Sequence, residues 1–180
     1  MTDQKATLRE RARRERSQKF ISSNFNVILK APEIESATTI ASYVSYEHEP
    51  STAEINEAFL RAGKILVLPR IIGDHLEWVR WDGETANLLT KKKISEPVGQ
   101  ALTDLSQIQA VIVPALRIDQ SGFRLGQGGG YYDRALPNLN AWKIGLVYAG
   151  ELSSEVLPHE PHDVPLDAAA TPSIVVRFNR

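Results

Sequence analysis

The residues whose types and spacing invite chemistry lie between Gly122 and Leu136, in GFRLGQGGGYYDRAL. Five of these fifteen residues are glycine, three of them consecutive, with Arg124, Tyr131, Tyr132, Asp133 and Arg134 around them. The apolar run VIVPAL comes just before, so a strand should lead into the loop and a helix should leave it near Gly130 or Tyr131. Successive glycines let backbone N–H groups approach an anion closely, and a helix N-terminus adds partial positive charge. Arg124 has the fork geometry for two phosphate oxygens, and Asp133 is placed to hold Mg²⁺ against them. The plainer reading is a tight turn with positive φ and surface charges. Neither the Gly-Lys-Ser/Thr ending of a Walker A loop nor the Rossmann glycine spacing is present. Strand context, the glycine run and charges of both signs favour a nucleotide-phosphate cradle.

Other candidates are weaker by themselves. Lys5 and Arg9 are four apart and so share one face of a first helix, where a solvated basic face is the simplest account. RERARRER in the same helix suggests nucleic acid, but Glu10 and Glu15 interrupt it and the net charge is −1, so no nucleic-acid partner is expected. Glu49 follows the first strand, at the end of an α/β sheet where ligand sites gather, with Glu47 and His48 beside it. His159, His162, Asp163 and Asp167 resemble a transition-metal set, yet the prolines among them argue against a regular ligand face. A loop that carries Asp167 toward Asp133 is the expected alternative. There is no cysteine and no G-x-S-x-G, which excludes thiolate chemistry and offers no serine nucleophile motif.

These residues need a scaffold, and the patterning supplies one. Residues 3 to about 30 lack Gly and Pro and read as one helix ending before Pro32. Thr38–Tyr46 reads as a buried strand, STAEINEAFLRAG as a helix with a Ser51/Glu54 capping box, and KILVLP as a second strand, together a βαβ unit. HLEWVRW alternates as a short antiparallel strand, while Ala110–Leu116, Trp142–Tyr148 and Ser173–Phe178 are further strands. The expectation is a single α/β domain over 1–180, with a mostly parallel central sheet flanked by helices on both faces. The N-terminus has no apolar signal region and no apolar run reaches the roughly 18 residues of a membrane span, so a cytoplasmic location is expected. A monomer is the default expectation, although no residue pattern fixes the oligomeric state.

The segment VPALRIDQSGFRLGQGGGYYDR, Val113 to Arg134, resembles the signature of the 5-formyltetrahydrofolate cyclo-ligase family. There a strand ends in VPG or VPA and D-x-x-G-x-R-L-G-x-G-G-G-Y-Y-D-R follows. The similarity extends to Lys5 and Arg9, to SYVSYEHEPST, to LPR after the second strand, to Ile94–Pro97 and to PHEPHDVPLDAAAT. Ile118 stands where the family has an aromatic residue, and Gln127 occupies the variable position after Arg-Leu-Gly. The resemblance implies ATP- and Mg²⁺-dependent cyclisation of 5-formyltetrahydrofolate to 5,10-methenyltetrahydrofolate; a noncatalytic folate or nucleotide binder is the alternative. It implies ATP contacts from Lys5, Arg9, Arg124, Leu125, Gly126, Gln127, Gly128, Gly129, Gly130, Tyr131 and Tyr132. Folate would meet Val44, Glu49, Gln127, the three glycines and Tyr131, with the Glu49 carboxylate accepting from the pterin amino and N–H groups. Arg124 and Tyr131 take the catalytic roles, and Asp133 with Asp167 the metal.

Overall fold

The computed structural model describes residues 2–179. Helix α1 (Thr2–Lys19) is followed by a 3-10 turn at Asn26–Lys30 and by α2 (Pro32–Ser36). The expected helix over 3–30 therefore stops early. Ser23 Oγ donates to Ile21 O and Asn24 Oδ1 accepts from the Asn26 N–H, local bonds that compete with the helical ladder.

Strand β1 (Thr39–Ala41) leads through a loop to α3 (Ala53–Arg61), β2 (Ile65–Ile72) and β3 (His75–Trp81). A hairpin of β4 (Leu88–Lys91) and β5 (Ile94–Pro97) comes next, then β6 (Ala110–Pro114), β7 (Arg117–Asp119) and β8 (Arg124–Leu125). The chain continues through α4 (Tyr131–Ala135), β9 (Trp142–Leu146), β10 (Leu152–Ser153), β11 (Ala168–Ala170) and β12 (Val175–Arg177). The main sheet has seven strands in the order β12-β11-β9-β6-β1-β2-β3. Its five inner strands are parallel, and antiparallel β12 and β3 form the edges. This is the mostly parallel α/β sheet that the patterning called for.

Alternation along the strands separates two cores. Ile40, Leu66, Leu68 and Ile112 face one side, where Phe25, Ile28, Ile34, Ile55 and Phe59 cover them from the 3-10 turn, α2 and α3. Ala41, Val67, Val111 and Val113 face the other, against Ile108, Leu136, Leu139 and Leu166. That second cover is thin in helix: α4, short turns and irregular segments.

Three local expectations change. Strand β1 ends at Ala41 because the Tyr43 carbonyl is taken by Thr52 Oγ1 at 2.6 Å and Asn56 Nδ2 at 2.9 Å, which removes it from the ladder. The Ser51/Glu54 capping box does not form; Thr52 is the N-cap residue, and Glu54 accepts from Asn26 instead. Strand β11 is Ala-Ala-Ala, a composition of low strand propensity that gave no period-two signal, yet all three residues are buried.

Helix α1 lies over the carboxyl end of β6. Ala12 packs with Leu116, Leu125 and Leu157. Arg16, whose side chain is 4% exposed, forms an ion pair with Glu151 at 2.6 Å and donates to Ala115 O at 2.7 Å. Breaking a buried pair leaves the other charge uncompensated, so Arg16→Met is expected to cost about 3–5 kcal/mol. Urea unfolding measures this, and a change near zero would show that the pair does not anchor the helix.

Candidate active site

Beyond the carboxyl ends of β1, β2 and β6, a cavity of about 200 Å³ is lined by Arg9, Val44, Glu49, Pro69, Pro114, Arg124 and the loop Gly126–Gly130, with Tyr131, Tyr132 and Asp133. This is where an open parallel sheet leaves a crevice for ligands. The glycine loop joins β8 to α4. Gly128 and Gly130 adopt φ of +110° and +68°, backbone that a side chain would strain. The N–H groups of Gly128, Gly129 and Gly130 bond to no other described residue. Their neighbouring carbonyls are taken: Arg9 Nε donates to Gly126 O at 3.0 Å, Arg13 Nη2 to Gln127 O at 2.6 Å, and Arg134 Nη2 to Gly129 O at 2.9 Å. The basic face of α1, which by itself reads as solvated, is in fact clipped to the loop.

Two charges mark the cavity. The Arg124 side chain is 6% exposed and pairs with Asp133, Nη2 to Oδ1, at 2.5 Å. Desolvation pulls the guanidinium below its ordinary value, opposed by Asp133, Tyr132 and Asp163. Its Nε is buried without a hydrogen-bond partner. Glu49 accepts from the Tyr46 N–H at 3.2 Å. Burial raises its carboxyl from 4.5 to about 7, against the opposing pull of that N–H, Arg16 and Gln127. The cavity thus holds a buried cation and a carboxyl that titrates near neutrality.

The remaining expected site residues divide. Val44, Gln127 and Tyr131 line the cavity, and Gln127 also accepts from Arg13 Nε at 2.9 Å. The Tyr132 ring is held edge-on against Trp78 at 6.3 Å, with the Arg124 guanidinium 5.6 Å from its centroid. Leu125 points away, into the cluster with Ala12, Leu116 and Leu157, because β8 alternates and Arg124 takes the cavity side. Lys5 is turned to Asp163, Nζ to Oδ2 at 2.9 Å.

Asp167 is not brought to Asp133. It precedes Ala168, which pairs with Ile144, so it is level with Lys143 and, through β9, with Val111. Pro114, at the cavity, is three residues or about 10 Å further along β6. The Asp167 carboxylate accepts the Lys143 N–H at 2.7 Å and so serves the sheet's amino end. Asp163, on the same loop, does act on the site, through the buried Arg124 guanidinium: burial opposes its charge, but Lys5 and the Glu160 N–H hold it below the ordinary aspartate range. His159 stacks on Phe123 at 3.7 Å, and no cluster of three or more His, Cys, Asp or Glu residues suited to a metal occurs among the described residues. Arg13, which bonds Gln127, and Glu96, which lines the cavity, received no role from the motifs. Arg13 was detectable, since it continues the Lys5–Arg9 spacing by four; Glu96 lay within the Ile94–Pro97 motif, but nothing local to it showed what it would bond.

The sequence profile of the 5-formyltetrahydrofolate cyclo-ligase family matches residues 2–172. The chain belongs to this family. It is 34% identical over 152 residues to the 5-formyltetrahydrofolate cyclo-ligase of Escherichia coli K12, covering 80% of this chain and 83% of that one. It is 32% identical over 147 residues to the Mycolicibacterium smegmatis cyclo-ligase, covering 76% and 75%. The solution structure of Aquifex aeolicus 5,10-methenyltetrahydrofolate synthetase superposes with a TM-score of 0.82 at 26% identity, covering 98% of this chain and 93% of that one. A Mycoplasma pneumoniae 5,10-methenyltetrahydrofolate synthetase shares the fold at TM-score 0.70 and 21% identity. The protein is a cyclo-ligase of folate one-carbon metabolism. No described helix is long and apolar enough to cross a membrane.

The Glu49 carboxyl of this cyclo-ligase gives a test by titration. The unfolded chain releases the proton near 4.5 and the folded chain near 7, so the folded state holds more protons in that window. Stability therefore falls as pH rises through it, by at most about 3 kcal/mol. Glu49→Gln lacks this loss, and its stability relative to wild type should increase between about pH 4.5 and 8. Parallel stability–pH curves for the two proteins would refute the shift.

Proposed function

We propose that this cyclo-ligase consumes ATP with Mg²⁺ to convert 5-formyltetrahydrofolate to 5,10-methenyltetrahydrofolate, ADP and phosphate. The observation that carries the reading is the placement of Glu49, the glycine loop and the Arg124–Asp133 pair around one cavity. A formamide oxygen is a poor leaving group. Its attack on the γ-phosphate releases ADP and leaves an N5-iminium phosphate; N10 then attacks the formyl carbon, loses its proton, and phosphate departs. Phosphoryl transfer of this kind needs positioning and charge neutralisation more than covalent help from the protein.

In this reading Arg124 and Arg9 neutralise phosphate charge, with Lys5 joining them by exchanging its Asp163 partner for the nucleotide. The unpaired N–H groups of Gly128–Gly130 bind phosphate oxygens, and Gln127 and Tyr132 complete the wall. Glu49 orients the pterin, Val44 packs on it, and Tyr131 lies against the substrate near N10. Mg²⁺ characteristically takes one or two carboxylates plus phosphate oxygens and water. Asp133, with Asp163 rather than Asp167, fits that demand, since both act on the same buried guanidinium. The ion would supply further neutralisation of the nucleotide's charge. We take residues 1–180 as one catalytic domain acting as a monomer in the cytoplasm, with small-molecule partners and no nucleic acid.

Purified protein with Mg-ATP and 5-formyltetrahydrofolate should accumulate the methenyl product, followed by its near-ultraviolet absorbance; no accumulation would sink the proposal. Asp133→Asn should lower turnover by about 100-fold or more while the protein stays folded by circular dichroism. An active variant would remove the metal role. Glu49 must be ionised to accept two hydrogen bonds, so affinity for 5-formyltetrahydrofolate should rise as pH rises through about 7. Calorimetric titration across that range should show the rise, and its persistence in Glu49→Gln would assign it to another group.

A further inference from the structure

The β4–β5 hairpin forms the cavity's outer wall, and none of the steps above uses it. Ile94 and Glu96, two apart on β5, point to the same side and both line the cavity. The Glu96 side chain is only 6% exposed, and its one ionic neighbour among the described residues, Lys91 at 3.6 Å, is itself 70% exposed. Such a pairing offsets little of the cost of burying a carboxylate. What Glu96 does have is a short bond: Oε1 accepts the Ile71 N–H at 2.8 Å.

The strand ladder explains why that bond is needed. The Ile65 N–H reaches Thr38 O and the Ser42 N–H reaches Val67 O, so the odd-numbered residues of β2 face β1. Strand β1 pairs only as far as Val67, which leaves the rest of that edge bare. Pro69 has no N–H, so Ile71 carries the next amide on that edge. Glu96 stands where a neighbouring strand's carbonyl would be. At the hairpin's other end, Lys93 pairs with Glu47, in the loop that carries Glu49. Lys92 and Glu47 are the two non-glycine residues with positive φ among the described residues, at 52° and 51°. The hairpin is thus fixed at a buried root and clasped at an exposed tip.

We propose that Glu96 is a positioning residue for the folate: by bonding the Ile71 N–H it docks the β4–β5 hairpin so that Ile94 walls the cavity entered by Glu49. This rests on the folate reading of the cavity. The test is the Michaelis constants for 5-formyltetrahydrofolate and ATP, with calorimetric binding of 5-formyltetrahydrofolate. Glu96→Leu should raise the folate KM by about tenfold or more through the unpaired amide, with the ATP KM unchanged. Glu96→Gln keeps the acceptor and should recover most of the affinity. Ile94→Ala leaves the bond intact at a half-exposed position that tolerates change, and should weaken folate alone, again by about tenfold.

Wild-type folate affinity in Ile94→Ala would overturn the inference even if Glu96→Leu failed to fold. Equal losses in Glu96→Gln and Glu96→Leu would overturn it in favour of a carboxylate that reads the substrate directly. A parallel rise in both Michaelis constants would reduce Glu96 to a structural role. If the wild-type protein neither bound nor converted 5-formyltetrahydrofolate, the functional reading would fail and take this inference with it; normal wild-type turnover with unaffected variants would defeat this inference alone.

Discussion

The site depends on one arrangement: a cationic helix held across the carboxyl end of a parallel sheet by hydrogen bonds to main-chain carbonyls. Arg16 reaches Ala115 O, Arg9 reaches Gly126 O and Arg13 reaches Gln127 O, so three of its guanidinium groups are spent on backbone oxygen. That use has a consequence for the loop. A peptide unit whose carbonyl is held on the helix side is restricted in where it can turn its N–H. The glycines supply the torsional freedom to accept this geometry, and the arginines remove that freedom again by fixing it. Preorganised donors of this kind need no reordering when charge arrives.

Burial sets the electrostatics. Arg124 and Glu49 line the same cavity, both removed from water, and each is shifted toward its neutral form mainly by desolvation. Asp133 offsets the cost for the arginine, whereas the carboxyl has no cation bonded to it among the described residues and is pushed up to about 7. A ligand that brings anionic phosphates to one and N–H donors to the other relieves both penalties together.

Much of this was legible in the residues, for physical reasons. The glycine run, the buried strand before it and the charges after it are local features, and local sequence carries them. The βαβ unit from β1 to β2 was readable because apolar period and a helix-ending glycine are also local. The errors share a different cause. Helix α1 stopped at Lys19 because Ser23 and Asn24 bond their own backbone, and β1 stopped at Ala41 because Thr52 and Asn56 took the Tyr43 carbonyl. Strand β11 was missed because three alanines show no pattern until neighbours bury them.

The sequence by itself determined the groups available: a glycine-rich loop set among charges, a carboxylate after the first strand, basic residues on one helical face, and the family to which their motifs belong. Only the tertiary structure decided which of these groups meet. Asp163 rather than Asp167 faces Lys5 because strand register places Asp167 at the wrong end of the sheet, and register is a property of pairing between distant segments. Glu96 acquired its role in the same way, from an edge left bare by the shortness of β1 and a proline without an N–H. Neither the length of a neighbouring strand nor the burial of a carboxylate is written in the residues on either side of it.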